Sequence, residues 1–391
     1  MKRFIAFVRK EIVFCIAAVC ALISSFFVRP SIAYLGYIDW NTLFILFALM
    51  GVIGALRSCG VFDRIGTLLC HRFHTERGLC SVLVALCFFT SMLITNDVAL
   101  LTFVPFSLAI LGLVAPGWIT MYTVILQTVA ANLGSMLTPL GNPQNLFMFQ
   151  QMKIGIFSFM GILLPYTIAS GVFLAVALLF IPAKLVTVRK DRPLQDTTQK
   201  ASNSLPVAES KKTLVHEILY FLLFIVCLLS VVRLVPKFVS AILVFVALLI
   251  TNRKVLFSVD YMLLLTFCAF FVFTGNIAAI PGIKSLLESA VASHEFAVAL
   301  ASSQVISNVP ATLLLHSFAS DARSLVIGVN VGGLGTLVAS LASLISYKLY
   351  SAAKKRLDIP STGKYMIVFT VCNIVMLALL IALHFVLNLV K

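Results

Sequence analysis

Apolar runs, each near the length of a bilayer crossing, follow one another along the whole chain, and short basic clusters separate them. About 20 apolar residues span the hydrocarbon core as a helix, because a helix satisfies every backbone polar group internally. The runs predict crossings from Glu11 to Val28, about Trp40 to Leu56, Phe157 to Ile181, Glu217 to Val232, Phe238 to Ile250, Tyr261 to Ala279, and from Met366 onward. Phe62 to Phe73 is amphipathic and is expected to lie in the interface.

Two stretches depart from this pattern. In Leu79 to Leu113 the apolar sequence is broken by Thr95-Asn96-Asp97, and each arm is too short to cross. A re-entrant hairpin accounts for it, with Asn96 or Asp97 capping the returning helix. Trp118 to Gln151 is broken by Thr138-Pro139-Leu140-Gly141-Asn142-Pro143-Gln144-Asn145. Pro139 lacks an amide donor, Gly141 permits unusual backbone angles, and Asn142-Pro143 reads as a cap followed by proline at the first helical position. The second half-helix should therefore start near Pro143. Its amide end favours an anion or hydroxyl, and the carbonyl end of the first half-helix favours a cation. Polar backbone at membrane depth survives only when buried in protein or lining a cavity, so both knots are expected to form a binding site. Asp97, an acid inside an apolar run, is read as functional by default.

The composition excludes a soluble domain: 61% of the 391 residues are hydrophobic and 11% are charged. The net charge of +15 does not point to nucleic acid, because the bases sit between apolar runs without interleaved aromatics. Lys2, Arg3, Arg9 and Lys10, then Arg57, Arg64, Arg72 and Arg77, then Lys184 to Thr213, Arg253-Lys254 and Lys348 to Lys364 are expected to face the cytoplasm. This places the N-terminus inside and the C-terminus outside an inner membrane. Nine cysteines without a C-x-x-C pair support neither a disulfide framework nor a zinc site. His71 and His74 read as solvated interfacial residues, His316 as packing, and Asp39 and Asp260 as helix caps.

The second half repeats the first. Asp39-Trp40-Asn41-Thr42-Leu43 resembles Asp260-Tyr261-Met262-Leu263, Ile94-Thr95-Asn96-Asp97 resembles Ile306-Ser307-Asn308-Val309, and Asn132-Leu133-Gly134-Ser135-Met136-Leu137-Thr138 resembles Asn330-Val331-Gly332-Gly333-Leu334-Gly335-Thr336. The expected organisation is an N-terminal repeat over 1–183, with its hairpin at about 79–113 and its broken helix at about 118–151. A cytoplasmic linker over 184–214 leads to a C-terminal repeat over 215–391, with its hairpin at about 295–319 and its broken helix at about 323–350. The basic-residue asymmetry gives the repeats opposite topology, which is the pattern of secondary transporters. The fold class is an all-α polytopic membrane protein with nine crossings, four in Met1 to Ile181 and five from Glu217 onward, plus two hairpins.

Thr95-Asn96-Asp97, the run Thr138 to Leu146, Ser307-Asn308-Val309-Pro310-Ala311-Thr312 and the run Gly332 to Thr336 together resemble the ion transporter superfamily, in its arsenite-permease and citrate-transporter-like branch. The resemblance covers most of the chain. It implies an elevator-type, usually homodimeric carrier whose hairpin tips and broken-helix loops bind substrate and coupling cation. On that pattern the substrate- and ion-binding residues are Thr95, Asn96, Asp97, Thr138, Gly141, Asn142, Asn145, Ser307, Asn308, Thr312, Gly332, Gly333, Gly335 and Thr336. A coupling sodium would sit near Asn96, Asp97, Gly141, Asn308 and Gly335; a proton is the other coupling ion, and no further cofactor is implied.

Relatives that carry dicarboxylates have Ser-Asn-Thr at both tips, where this chain has Thr-Asn-Asp and Ser-Asn-Val. An Asp repels a carboxylate in a partly dry cavity, and no Arg or Lys lies in the broken segments. The residues suit a neutral oxyacid such as an arsenite-like metalloid, or a small anion accompanied by a cation. A sodium-coupled di- or tricarboxylate carrier, a sodium/proton antiporter and an ion channel remain as alternatives. A phosphate-binding G-x-x-x-x-G-K-[ST] loop is absent, so an ATPase would have to be a separate subunit. An H-E-x-x-H metalloprotease motif is absent too, and no enzyme is expected.

Overall fold

The computed structural model describes residues 11–62, 64, 73–185, 211–292, 294–354 and 357–389. Lys2, Arg3, Arg9, Lys10, His71, Arg72 and most of the interfacial stretch lie outside the described residues, as does the linker over 186–210. The described residues are helical, apart from loops and one isolated bridge between Thr75 and Leu185.

In chain order the helices are α1 (Ile12–Ser25), α2 (Ala33–Tyr37), α3 (Trp40–Ser58), α4 (Glu76–Thr90), α5 (Asn96–Val114), α6 (Gly117–Ser135), α7 (Pro143–Met152), α8 (Ile156–Leu178) and α9 (Lys211–Val231). They continue as α10 (Lys237–Thr251), α11 (Arg253–Ser258), α12 (Tyr261–Ala278), α13 (Pro281–Val291), α14 (Glu295–Ile306), α15 (Asn308–Leu315), α16 (Ala322–Val331), α17 (Leu341–Ala353) and α18 (Thr362–Leu389), with a 3-10 turn at His316–Phe318. Five described helices are long and apolar enough to cross a membrane: α3, α8, α12, α18 and the Leu214–Val231 part of α9. By contrast, α7 and α16 have 10 residues each. At 1.5 Å per residue they reach about 15 Å, half of the roughly 30 Å hydrocarbon core.

The local chemistry explains the ends. Asp260 caps α12, its carboxylate accepting from the Leu263 amide at 2.9 Å, and Asn252 accepts from Val255 at the start of α11. At the first hairpin tip the expectation of an Asn96 or Asp97 cap is corrected. Thr95 occupies the cap position with extended backbone and no side-chain cap bond, while Asn96 and Asp97 lie in the first turn of α5. The Asn96 backbone amide instead donates to the Gly141 carbonyl of the helix break at 3.0 Å. At the second tip, α14 and α15 meet at Ser307, whose φ of 74° is in the left-handed region that L-residues rarely enter.

The chain packs as two compact units that do not follow its sequence halves. The first comprises Met1–Gly54, Pro143–Ile162 and Leu223–Gly333. Here α12 packs on α1, the hairpin α14–α15 packs on α16, and α7 joins both α15 and α16. The second comprises Ala55–Asn142, Leu163–Leu222 and Leu334–Lys391. Its centre is α6, buried from Ile119 to Ser135 except at Tyr122, against α4, α5, α17 and α18.

Each unit thus joins one hairpin to the first half of the broken helix that follows it and to the short second half-helix of the other broken segment. One contact recurs in both. In the second unit Gly134 lies against Ser91 on the hairpin side, a Cβ there falling 2.8 Å from the Ser91 hydroxyl. In the first unit Gly332 lies against Ser303, at 2.9 Å by the same measure. Ser91 and Ser303 each stand five residues before the tip asparagine, and Gly134 and Gly332 each stand two residues after Asn132 and Asn330.

Candidate functional site

In the second unit the polar groups converge on Asn132, buried in the last turns of α6. Its carbonyl oxygen accepts from Asn96 Nδ2 at 3.0 Å and from the Ser340 hydroxyl at 2.9 Å. Its amide donates to Ser343 Oγ at 3.1 Å. Ser343 is the third residue of α17, so one side chain ties the hairpin tip, the broken helix and the incoming half-helix together. One turn earlier Thr128 donates to Ser346 at 2.6 Å on the same pair of helices.

The break itself is fixed by short contacts. Thr138 Oγ1 donates to the Met92 carbonyl, and Asn142 Nδ2 donates to Ser135 Oγ at 2.6 Å. A Cβ at Gly141 would overlap the Ser135 carbonyl, so only glycine lets the chain fold back there. Asp97 is half-buried, its amide donating to Asn96 Oδ1 at 2.9 Å. The Gly335 amide, at φ 106°, donates to Asn373 of α18 at 3.4 Å, and Thr336 Oγ1 accepts from the Ala339 amide at 3.1 Å.

The first unit holds a matching node on Asn330, buried at the end of α16. Its amide donates to Asn145 Oδ1 at 2.7 Å and to the Val326 carbonyl at 2.7 Å. Asn145 is the third residue of α7, as Ser343 is of α17. Here the symmetry stops, because Asn330 Oδ1 is buried and takes no hydrogen bond among the described residues. Asn308 is not paired with it in the way that Asn96 is paired with Asn132; its amide lies against Gly333, where a Cβ would come within 2.9 Å. The Gly332 carbonyl accepts from Gln304 Nε2 at 2.7 Å, and Thr312 Oγ1 donates to the Asn308 carbonyl at 2.7 Å.

Among the sequence-predicted residues, then, Thr95, Asn96, Asp97, Thr138, Gly141, Asn142, Gly335 and Thr336 belong to the second unit. Asn145, Ser307, Asn308, Thr312, Gly332 and Gly333 belong to the first. Sequence reasoning used Asn132 and Asn330 to align the repeats but left both out of the site. The available signal was an asparagine inside an apolar helix, which costs free energy unless its amide is paired. Gln144, second in α7, was also passed over; it is buried and its Nε2 is unpartnered among the described residues. No group of three or more His, Cys, Asp or Glu suited to a metal exists among the described residues, and His74 is exposed.

Comparison with known proteins agrees with this architecture. A family model described as Citrate transporter matches residues 3–324. The Inner membrane protein YbiR of Escherichia coli is 31% identical over 318 residues, 80% of each chain. The Uncharacterized transporter MJ0456 of Methanocaldococcus jannaschii is 31% identical over 349 residues, 88% of this chain and 89% of its own. The Silicon efflux transporter LSI3 of rice is 35% identical over 133 residues, 34% of this chain and 27% of its own. With apolar crossing helices, paired half-helices and a match over most of its length, the chain belongs to the citrate transporter family and is a multi-pass membrane transporter, not an enzyme.

Proposed function

We propose that the protein is a secondary active carrier of a neutral metalloid acid or small oxyanion, coupled to protons or sodium. The observation that carries this reading is the pair of matched nodes, each a buried asparagine at the end of one half-helix bonded to the third residue of the half-helix arriving from the other broken segment, the first node also holding the hairpin-tip Asn96. Groups of that kind at helix breaks present free backbone ends to a ligand and to a coupling cation. An elevator movement of two inverted repeats, in a homodimer, is the mechanism the reading implies. The inner membrane is its setting, with the N-terminus cytoplasmic and the C-terminus outside.

The choice of substrate rests on charge. No Lys or Arg occurs in the segments 91–97, 136–145, 306–312 or 332–340, and Asp97 is the single charge they hold. Two like charges 4 Å apart repel by about 4 kcal/mol at an effective dielectric of 20, roughly a thousandfold in affinity. A neutral hydroxylated acid escapes that penalty. LSI3, described as a silicon efflux transporter, is a relative over 133 residues that include neither half in full, which is consistent with this choice. Sodium-coupled citrate transport is the second reading, favoured by the description of the matching family; it requires a cation to screen Asp97.

The test is flux in proteoliposomes under imposed pH and sodium gradients, with arsenous acid, orthosilicic acid, phosphate, sulfate, succinate and citrate compared. Accumulation of a neutral acid against its gradient is expected, with Asn142→Ala and Asn308→Ala inactive though folded. Flux of citrate alone sinks the metalloid reading, and gradient-independent, non-saturating flux sinks the carrier. Thiol labelling from outside of single cysteines, placed in the linker and in Lys348 to Lys364, tests the orientation; labelling of either in intact cells overturns it.

A further inference from the structure

Away from the asparagine nodes, the first unit contains a cavity of about 260 Å³ that sequence reasoning did not foresee. Its wall includes Tyr37, Asp39, Gln151, Thr274, His316 and Ser317. Asp39 and His316 come from opposite ends of the unit's sequence and were each read as structural, one as a cap and one as packing. Both expectations are met in part. The Asp39 carboxylate accepts from the Thr42 amide at 3.2 Å and from the Thr42 hydroxyl at 2.7 Å. The His316 ring stands edge-on to Phe147, with centroids 5.1 Å apart. Yet the carboxylate also reaches across to α7, accepting from Gln151 Nε2 at 3.0 Å.

The open groups define the ligand. Among the described residues neither the His316 ring nitrogens nor the Tyr37 hydroxyl takes a hydrogen bond, so the wall offers a donor and an acceptor on the imidazole and both on the phenol. Asp39 adds a further lone pair. The wall contains no Lys or Arg, and its carboxylate disfavours an anion. The volume is several times the roughly 30 Å³ share of a water molecule and lies just below the usual range of drug-sized pockets, which suits a ligand of a few heavy atoms. The cavity is also tied to the hairpin. His316 follows α15 directly, eight residues beyond Asn308, or about 12 Å along the helix. Gln151 and Phe147 lie on α7, which carries Asn145.

We propose that this cavity is a second binding site, for a small uncharged molecule rich in hydroxyl groups, whose Gln151 lies about one and a half turns along α7 from Asn145 and whose His316 lies about two turns along α15 from the tip Asn308. Its hydroxyls donate to Asp39 and to the bare imidazole nitrogen and accept from Tyr37 and the imidazole N–H. The proposal shares with the function above only the class of ligand, and the variants separate the two. Tyr37→Phe and His316→Phe remove the polar atoms and keep the rings, which are needed because Tyr37 packs directly on Gly275 and His316 on Phe147.

The experiment is equilibrium binding of radiolabelled arsenous acid to the purified full chain in nanodiscs, read as molecules bound per chain. Two per chain are expected for wild type. One is expected for Tyr37→Phe/His316→Phe, with an unchanged thermal midpoint, and one for Asn308→Ala. In uptake assays the double Phe variant should raise KM several-fold and leave kcat near wild type. One molecule per chain in wild type, lost in Asn308→Ala and kept in the double Phe variant, overturns the cavity site and leaves the transport reading standing. One molecule kept in Asn308→Ala and lost in the double Phe variant supports the cavity and removes the node. Absence of binding to wild type overturns both.

Discussion

The two asparagine nodes differ in how fully they are satisfied, and that difference is measurable. Asn132→Ala removes three side-chain bonds, to Asn96, Ser340 and Ser343. Side-chain hydrogen bonds between membrane helices average about 0.6 kcal/mol, so the direct loss is about 2 kcal/mol. The Ser340 and Ser343 hydroxyls can rotate towards backbone carbonyls, but Asn96 is buried and its Nδ2 is left without this partner. That adds roughly 1 kcal/mol or more, for a total near 3. Asn330→Ala removes only the bonds to Asn145 and the Val326 carbonyl, about 1 kcal/mol. It leaves the buried Asn145 Oδ1 without this partner, but it also deletes a buried oxygen that has no partner among the described residues, and the two effects offset each other. Asn132→Ala should therefore destabilise the chain by about 2 kcal/mol more than Asn330→Ala. A thiol-reactive dye reports the unfolding midpoint, because Cys80, Cys87 and Cys227 are buried and free. Cys80 and Cys87 lie on α4, which packs on α6 beside the Asn132 node. Equal midpoints, or a lower one for Asn330→Ala, refute the reasoning.

Gly141→Ala should abolish folded protein in a detergent extract, because its Cβ falls 2.1 Å from the Ser135 backbone carbonyl; Gly333→Ala should fold, because its Cβ meets the Asn308 side-chain amide at 2.9 Å and the Asn330 carbonyl no nearer than 3.2 Å, and should show reduced transport. Size-exclusion profiles and flux distinguish the two, and a well-folded Gly141→Ala contradicts the argument. Asp97→Asn should keep the hairpin tip yet remove the dependence of flux on the pH or sodium gradient; a variant that still concentrates substrate with unchanged ion dependence moves the coupling charge elsewhere. At Asp321, which caps α16, burial pushes the carboxyl up, but bonds from the Ser324 hydroxyl and the Arg323 and Ser324 amides, with the Arg323 charge, hold it below the ordinary carboxylate range. Its stabilisation is complete above the unfolded value of about 3.9 and is lost as the pH falls through the lower folded value. Asp321→Asn should therefore flatten the acid limb of a stability–pH curve, and an unchanged limb counts against it.

The membrane class, the helical architecture and the places where helices stop were legible in the sequence because each depends on neighbouring residues alone. Run length decides whether a segment can cross. Proline at 143 can start a helix without an orphaned amide, so α7 begins there. Asp260 precedes α12 by one residue and caps it for the same local reason. What the sequence could not decide were partners brought from far along the chain. Asn132 and Asn330 sit in similar local sequences, yet one carbonyl is doubly satisfied and the other open, because only the first meets a tip asparagine and a Ser340 hydroxyl. Asn96 looked like a cap by position, and the Gly141 carbonyl and Asn132 claimed its groups instead. Asp39 and His316 read as unrelated structural residues until packing set them around one cavity. Propensity and hydropathy are sums over adjacent residues, whereas the pairing of a buried polar atom depends on which helix arrives opposite it, and only the tertiary structure settles that.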